Sequence, residues 1–189
     1  MNHAFSMTDL VLLSQLLGLK IAQYQHGIKV HQSNYALYFF NKLNMKYCKP
    51  RKTPFLSEVK LEEAGSSPMV NNTLYRQLIG CFLYLTHTRP DLSYVFSVDS
   101  RYMGQPHDIH WRVAKRILNF VQGTRNHGIF YKAKYDFDFI GFTDSDWEGD
   151  NTDRNSTLGY VFMLVEGPIS WSSKKQSAIA PSSIEVEYR

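Results

Sequence analysis

The residues best suited to chemistry in this chain are four carboxylates spaced two apart: Asp144, Asp146, Glu148 and Asp150. They end the segment Phe139–Asp150, whose alternation of apolar residues with small or polar ones predicts a β-strand. In that strand Asp144 continues the face of Ile140 and Phe142. Carboxylates this close repel one another unless solvent or a bound cation relieves the repulsion. The cluster therefore indicates either a solvated acidic turn, the usual meaning of a charge run, or a site for a divalent metal ion.

The sequence after this cluster predicts further β-structure and then a helix. Two β-rich runs cover Gly159–Leu164 and Ile169–Ser172, joined by the turn signal Val165–Pro168. A third, shorter run covers Gln176–Ala180, and a helix capped by a serine is predicted to begin near Ile184. The order is therefore a strand that ends in a carboxylate, antiparallel strands, and a helix that carries a carboxylate.

Two long motifs in this region carry a family resemblance: TDSDWEGDNTDRNSTLGYVFML and ISWSSKKQSAIAPSSIEVEY. They resemble the ribonuclease H domain of copia-type LTR-retrotransposon Pol polyproteins, and the order of elements is that of the opening of a ribonuclease H fold. The resemblance implies that Asp144 and Glu187 bind Mg²⁺ in a two-metal site that cleaves the RNA strand of an RNA–DNA hybrid. In such a site converging carboxylates neutralise two ions and place the attacking water.

The implied ribonuclease H site takes further acidic residues from a later strand and a later helix. Here two residues follow Glu187 in the sequence. We therefore expect a truncated ribonuclease H-like sheet with a free pairing edge, which favours aggregation. We also expect no ribonuclease activity from these 189 residues alone.

The first part of the chain resembles another region of the same polyproteins. Its motifs are LLGLKI, GIKVHQSNYA and KLNMKYCKPRKTP, and YRQLIGCFLYLTHTRPDLSY follows further on. The resemblance implies the end of a reverse transcriptase palm, its thumb, and a connection to ribonuclease H. The sequence has no aromatic-x-Asp-Asp motif, which would hold the metal ions of the polymerase, so we expect no DNA synthesis.

These resemblances predict an α+β fold in four segments. Residues 1–56 are the palm end and thumb-like segment, and residues 57–72 are a polar linker. Residues 73–135 are a helical connection, and residues 136–189 are the N-terminal part of a ribonuclease H-like mixed sheet. Hydrophobic periodicity and turn signals predict the elements before residue 136: a hairpin of Leu19–Tyr24 and Gly27–Gln32, a helix capped by Ser33 or Asn34, a helix through Leu74–Leu85, a helix Leu92–Tyr102 capped by Asp91, a helix His107–Gln122, and a strand Ile129–Tyr131.

The helix His107–Gln122 carries the candidate nucleic-acid contacts. Arg112, Lys115 and Arg116 form a basic row opposite its apolar side, and such a row suits contact with phosphates. A solvated helix face is the alternative. His107 and His110 stand three apart, but no third ligand is near in the sequence, so we expect cap and surface roles for them.

One carboxylate interrupts an apolar pattern. Asp99 falls on the apolar stripe of the helix Leu92–Tyr102, where a buried and unpaired carboxylate would be costly or protonated. The alternatives are an exposed turn of the helix or a pairing with Arg101 or Lys115. If Asp99 is a destabilising substitution, replacing it by valine should raise the melting temperature.

Composition limits the remaining possibilities. Residues 1–135 hold 17 Lys and Arg against 7 Asp and Glu, whereas residues 136–189 hold 4 against 10. A basic part joined to an acidic part suits a polyanion that one part holds and the other cuts. Cys48 and Cys81 lack metal-type spacing, which favours a reducing compartment, cytoplasmic or nuclear. The apolar run Leu10–Ala22 is too short to span a bilayer, so we expect no membrane partner.

Two functional hypotheses follow from the sequence. The first is a fragment of a retrotransposon reverse transcriptase and ribonuclease H, inactive alone, whose partners are an RNA–DNA hybrid and the rest of a Pol polyprotein. The second is a nucleic-acid-binding module without catalysis. Assembly with a separate chain that supplies the missing carboxylates is a third possibility.

Overall fold

The structure is a computed structural model that describes residues 12–55, 61, 67–133, 138–146 and 157–176. The predicted run Gln176–Ala180 beyond its first residue, the predicted helix near Ile184, and Glu187 lie outside the described residues. The strands are β1 (Gln15–Leu16), β2 (Leu19–Tyr24), β3 (Gly27–His31), β4 (Gly128–Lys132), β5 (Phe139–Asp146), β6 (Thr157–Leu164) and β7 (Gly167–Lys175). The helices are α1 (Ser33–Lys42), α2 (Asn72–Leu85), α3 (Ser93–Ser100) and α4 (Asp108–Gly123).

The first sheet has the order β1-β2-β3-β4 and is antiparallel. The predicted hairpin is confirmed, with Tyr24 paired to Gly27. A Cβ on Gly27 would lie 2.3 Å from the carbonyl oxygen of Tyr131, so only glycine fits this close approach of β3 and β4. The predicted strand at residues 129–131 is confirmed as β4, and its partner is β3 of the first sheet.

The four helices share one aromatic core. Its largest buried side chains include Phe39, Phe40, Tyr75, Phe82 and Phe96. The rings of Phe82 and Phe96 stack with centroids 4.7 Å apart, and Phe39 meets Phe82 edge-on at 6.1 Å. Leu61, within the predicted polar linker, is buried in the same core. Residues of the first three predicted segments therefore pack together.

Two predicted helix starts are wrong. Ser33 is already the first residue of α1, and Gln32 before it makes no side-chain capping hydrogen bond. Asp91 does not cap a helix, because its two carboxylate oxygens accept hydrogen bonds from Arg89 at 2.9 and 2.8 Å. A 3-10 turn at Pro90–Leu92 precedes α3, which ends at Ser100 instead of residue 102.

The helix α2 starts as a capped helix should. The Asn71 side chain accepts a hydrogen bond from the backbone N–H of Leu74 at 3.0 Å, which satisfies one of the free donors at the helix start. The broad apolar face that the sequence predicts for this helix is confirmed in part, because Leu74 and Leu83 are exposed. The other five members of that face line the core: Tyr75, Leu78, Ile79, Phe82 and Leu85.

The second sheet, β5-β6-β7, is antiparallel throughout. A tight turn joins β6 to β7, with Val165 and Glu166 at φ 49° and 62°. This confirms the turn signal read from Val165–Pro168. We call β5, β6 and β7 the acidic sheet and the described residues 12–133 the body.

Polar contacts attach the acidic sheet to the body. Trp171 donates from its indole N–H to the carbonyl of Thr86 at 3.1 Å, and the Tyr131 hydroxyl donates to the carbonyl of Pro168 at 2.8 Å. Lys132 and Glu166 form an ion pair. Within the described ranges, the helices are too short or too polar to cross a lipid bilayer.

Candidate functional site

Asp144 lies on the middle part of β5, where the acidic sheet faces the body. Its partner across the sheet is Gly159, which in turn pairs with Ser173 of β7. Because glycine has no side chain, the neighbouring position on that face is open. The Asp144 carboxylate is exposed to solvent. The strand therefore presents this acid on a rigid support.

A cleft of about 630 Å³ separates the acidic sheet from the start of α3, and Asp144 lines it. Its aromatic lining comes from four residues, of which all but Trp171 are exposed: Tyr94, Phe142, Tyr160 and Trp171. Hydroxyl groups of threonine and serine line it too. Ile140 and Phe142, which share the face of Asp144 by the alternation of the strand, are both exposed.

The described residues do not complete a metal site. Among them no group of three or more His, Cys, Asp or Glu side chains converges. Among the described residues that line the cleft, Asp144 is the one carboxylate, and a single carboxylate falls short of the several oxygen donors that a divalent ion takes. No hydrolytic step follows from these residues alone. Glu187, its predicted partner, lies outside the described residues.

The basic row predicted on α4 is present on the surface of the body. Arg112 and Lys115 are exposed, and Arg116 is half-buried. Arg112 forms an ion pair with Asp108 at 2.8 Å, one helical turn away. The Lys115 ammonium lies 5.5 Å from the centre of the Trp111 ring. None of the three cations lines the cleft of Asp144, so the structure places the two predicted sets on different surfaces.

The two histidines at the start of α4 have structural roles. His107 precedes the helix, and its backbone N–H donates to His110 Nδ1 at 2.9 Å. His110 is 1% exposed, with its ring stacked on Tyr102 at 4.0 Å. The expectation of a surface role is wrong for His110, because the core closes over the first turn of this helix.

Asp99 is buried, and its partner is neither of the residues considered from the sequence. The Tyr75 hydroxyl lies 2.7 Å from Asp99 Oδ1 and 2.9 Å from the Asp99 carbonyl oxygen. Burial raises the pKa of Asp99 to about 7, although the hydrogen bond from Tyr75 lowers it in part. A protonated Asp99 would donate to the phenol oxygen and leave the phenol hydrogen for the carbonyl, so the neutral acid satisfies both contacts.

Sequence reasoning missed the residues that surround the candidate sites. Tyr94 and Trp171 form the cleft wall, although they are far apart in the sequence. Arg89 is 4% exposed, and its guanidinium donates to the carbonyl and hydroxyl oxygens of Thr124 as well as to Asp91. The signal for Arg89 was present in the TRPD motif, where an arginine and an aspartate flank a proline. The tertiary partner could not be read from that motif.

Sequence comparison places the chain among transposon proteins. It is 39% identical over 189 residues to the "Retrovirus-related Pol polyprotein from transposon RE2" of Arabidopsis thaliana. It is 34% identical over 200 residues to the "Retrovirus-related Pol polyprotein from transposon TNT 1-94" of Nicotiana tabacum. Both alignments cover 100% of this chain. The chain belongs to the copia-type retrotransposon Pol polyproteins.

This Pol segment corresponds to a small part of its long relatives, 13% of the RE2 polyprotein and 15% of the TNT 1-94 polyprotein. It also covers 78% of the "Uncharacterized mitochondrial protein AtMg00810" of Arabidopsis thaliana, at 35% identity over 190 residues. No protein-family profile and no solved structure matches the chain. The similarity to the RE2 and TNT 1-94 polyproteins confirms the family resemblance that the sequence motifs carry.

Proposed function

We propose that this chain is the part of a Pol polyprotein that joins the end of the reverse transcriptase to the start of the ribonuclease H domain. In this proposal the body holds an RNA–DNA hybrid through Arg112, Lys115 and Arg116, and the acidic sheet carries Asp144 toward the RNA strand. The observation that carries the proposal is the separation of charge. The surface of α4 carries a basic row whose Arg112 and Lys115 are exposed, and a strand of the attached sheet carries the exposed Asp144.

The basic row can bind phosphates but cannot by itself read a sequence. Lysine and arginine contacts to phosphate oxygens release counterions and fix the register of a nucleic acid, whereas base edges carry the specificity. The structure supports this role because Lys115 and Arg112 point their charge outward on a helix that the core holds rigidly. A retrotransposon enzyme that copies unrelated sequences needs binding of this kind.

The acidic sheet would supply carboxylates to the magnesium site. Asp144 and Glu187 would hold Mg²⁺ together with acids from the rest of the polyprotein, and the bound ion would activate water toward the phosphodiester. The part played by this chain is to keep the Asp144 carboxylate exposed on a paired strand next to an open cleft.

Binding tests the first half of the proposal. We expect the whole chain to raise the fluorescence anisotropy of a labelled RNA–DNA hybrid in a salt-dependent manner. The variant Arg112→Glu, Lys115→Glu, Arg116→Glu should bind at least about a hundredfold more weakly at low salt, since three phosphate contacts become repulsive. The absence of binding by the unmodified chain at low salt would contradict the proposal.

Cleavage tests the second half. In a longer Pol polypeptide that contains this sequence, Asp144→Asn should abolish magnesium-dependent cleavage of the RNA strand while hybrid binding stays intact. Equal cleavage by this variant and the unmodified polypeptide would exclude Asp144 from the site.

A non-catalytic nucleic-acid-binding module is the second candidate. It is favoured by the finding that the described residues bring a single carboxylate to the cleft. The two candidates differ in one result. In the longer Pol polypeptide, Asp144→Asn would leave cleavage of the RNA strand unchanged if this chain is a pure binding module, and would abolish it if this chain supplies Asp144 to the magnesium site.

A further inference from the structure

A second basic segment lies against α4. The segment Lys46–Thr53 connects α1 to the following chain and runs antiparallel to the helix. Three hydrogen bonds hold it there: Gln122 Nε2 to the Lys46 carbonyl at 2.7 Å, the Arg51 backbone N–H to the Asn119 carbonyl at 3.2 Å, and Arg116 Nη2 to Thr53 Oγ1 at 2.7 Å. The segment is therefore docked along the C-terminal half of the helix.

The docking is close at the end of the helix. A Cβ on Gly123 would lie 3.1 Å from Pro50 Cβ, so even a methyl group would crowd the proline there. Proline fixes its own φ and restricts the residue before it, which limits the shapes that the segment can adopt. The backbone of the segment is thus positioned by its contacts with α4.

Because the segment docks on α4, seven cations belong to these two adjoining elements. Four come from the segment and three from the helix: Lys46, Lys49, Arg51, Lys52, Arg112, Lys115 and Arg116. Six of the seven residues are exposed, and Arg116 is half-buried. The segment contains no acidic residue. From Arg112 to Gly123 the helix rises about 16 Å, at about 1.5 Å per residue.

Among the residues that the structure describes, most of this charge has no acidic partner. Arg112 pairs with Asp108, and among the described residues no ion pair engages the other six cations. A row of unpaired cations repels itself and is stabilised by a bound polyanion. Tyr47, 89% exposed, stands within this row with the Lys46 ammonium 5.4 Å from its ring centre.

We propose that Lys46–Thr53 and α4 form one phosphate-binding surface, the basic ridge, which holds the sugar-phosphate backbone of a nucleic acid with Tyr47 as a stacking position for an unpaired base. This inference rests on the proposed function and extends its contact surface from the helix to the docked segment. A nucleic acid fits better than a lipid surface, because membrane-binding basic segments also present several apolar side chains, whereas Tyr47 is the large exposed one on this segment.

Charge removal on the docked segment tests the basic ridge. The variant Lys49→Gln, Arg51→Gln, Lys52→Gln should reduce the slope of log affinity against log salt by about 2 to 3 for a labelled RNA–DNA hybrid, since each phosphate contact contributes about 0.9. The matched control Lys20→Gln, Lys29→Gln, Lys174→Gln removes the same charge elsewhere and should leave the slope unchanged. Equal losses in both variants would reduce the effect to net charge and overturn the inference.

A charge-neutral variant tests the docking itself. Thr53→Ala with Gln122→Ala removes two of the three hydrogen bonds that hold the segment and changes no charge. We expect this variant to bind the hybrid several-fold more weakly while its circular dichroism and melting temperature show a folded body. Unchanged affinity would show that the position of the segment does not matter.

The failures of the two proposals are distinguishable. If reversal of the three α4 charges abolishes binding and the segment variants bind like the unmodified chain, the proposed function stands and the basic ridge does not. If the unmodified chain shows no salt-dependent binding, the proposed function itself fails.

Replacing Tyr47 by alanine should weaken binding of a single-stranded DNA more than binding of a duplex, because stacking needs an unpaired base. Equal effects on the single strand and the duplex would show that Tyr47 is not a stacking position of the basic ridge.

Discussion

The body and the acidic sheet bury their aromatic residues very differently. In the body Phe82 and Phe96 are 0% exposed and stack inside a core shared by four helices. In the acidic sheet Phe139 and Phe142 are 63% and 58% exposed. Phenylalanine therefore stabilises the body by burial, whereas in the acidic sheet it is exposed to solvent. The body therefore closes its own core, whereas the described part of the sheet depends on its contacts with the body.

Charge follows the same division. The cations of the basic ridge lie on the body, and Asp144 lies on the sheet. Because the body has a complete core, it can hold a polyanion on a rigid surface. The exposed apolar face of the acidic sheet can pack against other segments of a polyprotein.

Phenylalanine truncation should separate the two regions by the free energy of unfolding. We expect Phe82→Ala to cost about 3 to 5 kcal/mol, as for other buried phenylalanines. The matched Phe142→Ala in the acidic sheet should change it by less than about 1 kcal/mol, because the side chain is already exposed. Denaturant unfolding followed by circular dichroism measures both. Similar losses for the two variants would refute the contrast in burial.

The buried acid of the body should make stability depend on pH. Burial raises the pKa of Asp99 from 3.8 to about 7. Between these values the folded protein keeps a proton that the unfolded chain releases. The proton on Asp99 therefore adds its full contribution to the free energy of unfolding below pH 3.8. This contribution is lost as the pH rises toward 7, and above pH 7 the free energy of unfolding no longer depends on this group. The loss should reach up to about 1.4 kcal/mol per pH unit.

Replacing the acid tests this assignment. Asp99→Val should raise the melting temperature at neutral pH and flatten its dependence between pH 4 and 7 relative to the unmodified chain. Asp99→Asn is the control, since it removes the charge and keeps a polar group. A pH profile that is the same in all three proteins would show that Asp99 does not titrate in this range.

The junction between the regions should be weaker than the hydrophobic core of the body. Trp171→Phe removes the hydrogen bond to the Thr86 carbonyl and should cost about 1 kcal/mol. Hydrogen exchange should then speed up in β5, β6 and β7 while amides of α2 and α4 keep their protection. Uniform loss of protection across the chain would mean that the regions unfold as one unit.

The ion pair at the same junction should matter least. Lys132 and Glu166 are 46% and 50% exposed, so water and salt screen their attraction. Lys132→Met should change the free energy of unfolding by less than about 1 kcal/mol, and less still at high salt. A larger effect that persists in high salt would show that this pair anchors the sheet.

Local patterns predicted most elements and their approximate limits. The hairpin around Gly27, the helices α2 and α4, and the strands β6 and β7 follow from periodicity and turn residues within each stretch. The motifs also identified the family, since long ungapped runs such as ISWSSKKQ are specific. The placement of Asp144 on β5 needed only the alternation of that strand.

Contacts between distant residues account for what the sequence could not predict. Asp91 binds Arg89, and Arg89 in turn binds Thr124, 35 residues away. Asp99 is paired with Tyr75 of a different helix. Similarly, no local pattern showed that Lys46–Thr53 would dock on α4, because its hydrogen bonds span 63 to 76 residues. Local propensity cannot report partners of this kind.

One titration tests most directly whether this chain binds an RNA–DNA hybrid without cleaving its RNA strand. The 189-residue chain is mixed with a labelled RNA–DNA hybrid and Mg²⁺, and binding and RNA cleavage are followed in the same samples. We expect salt-dependent binding that is lost on charge reversal at Arg112, Lys115 and Arg116, with the RNA strand left intact. Magnesium-dependent cleavage that disappears in Asp144→Asn would contradict it, because the chain would then hold a complete catalytic site.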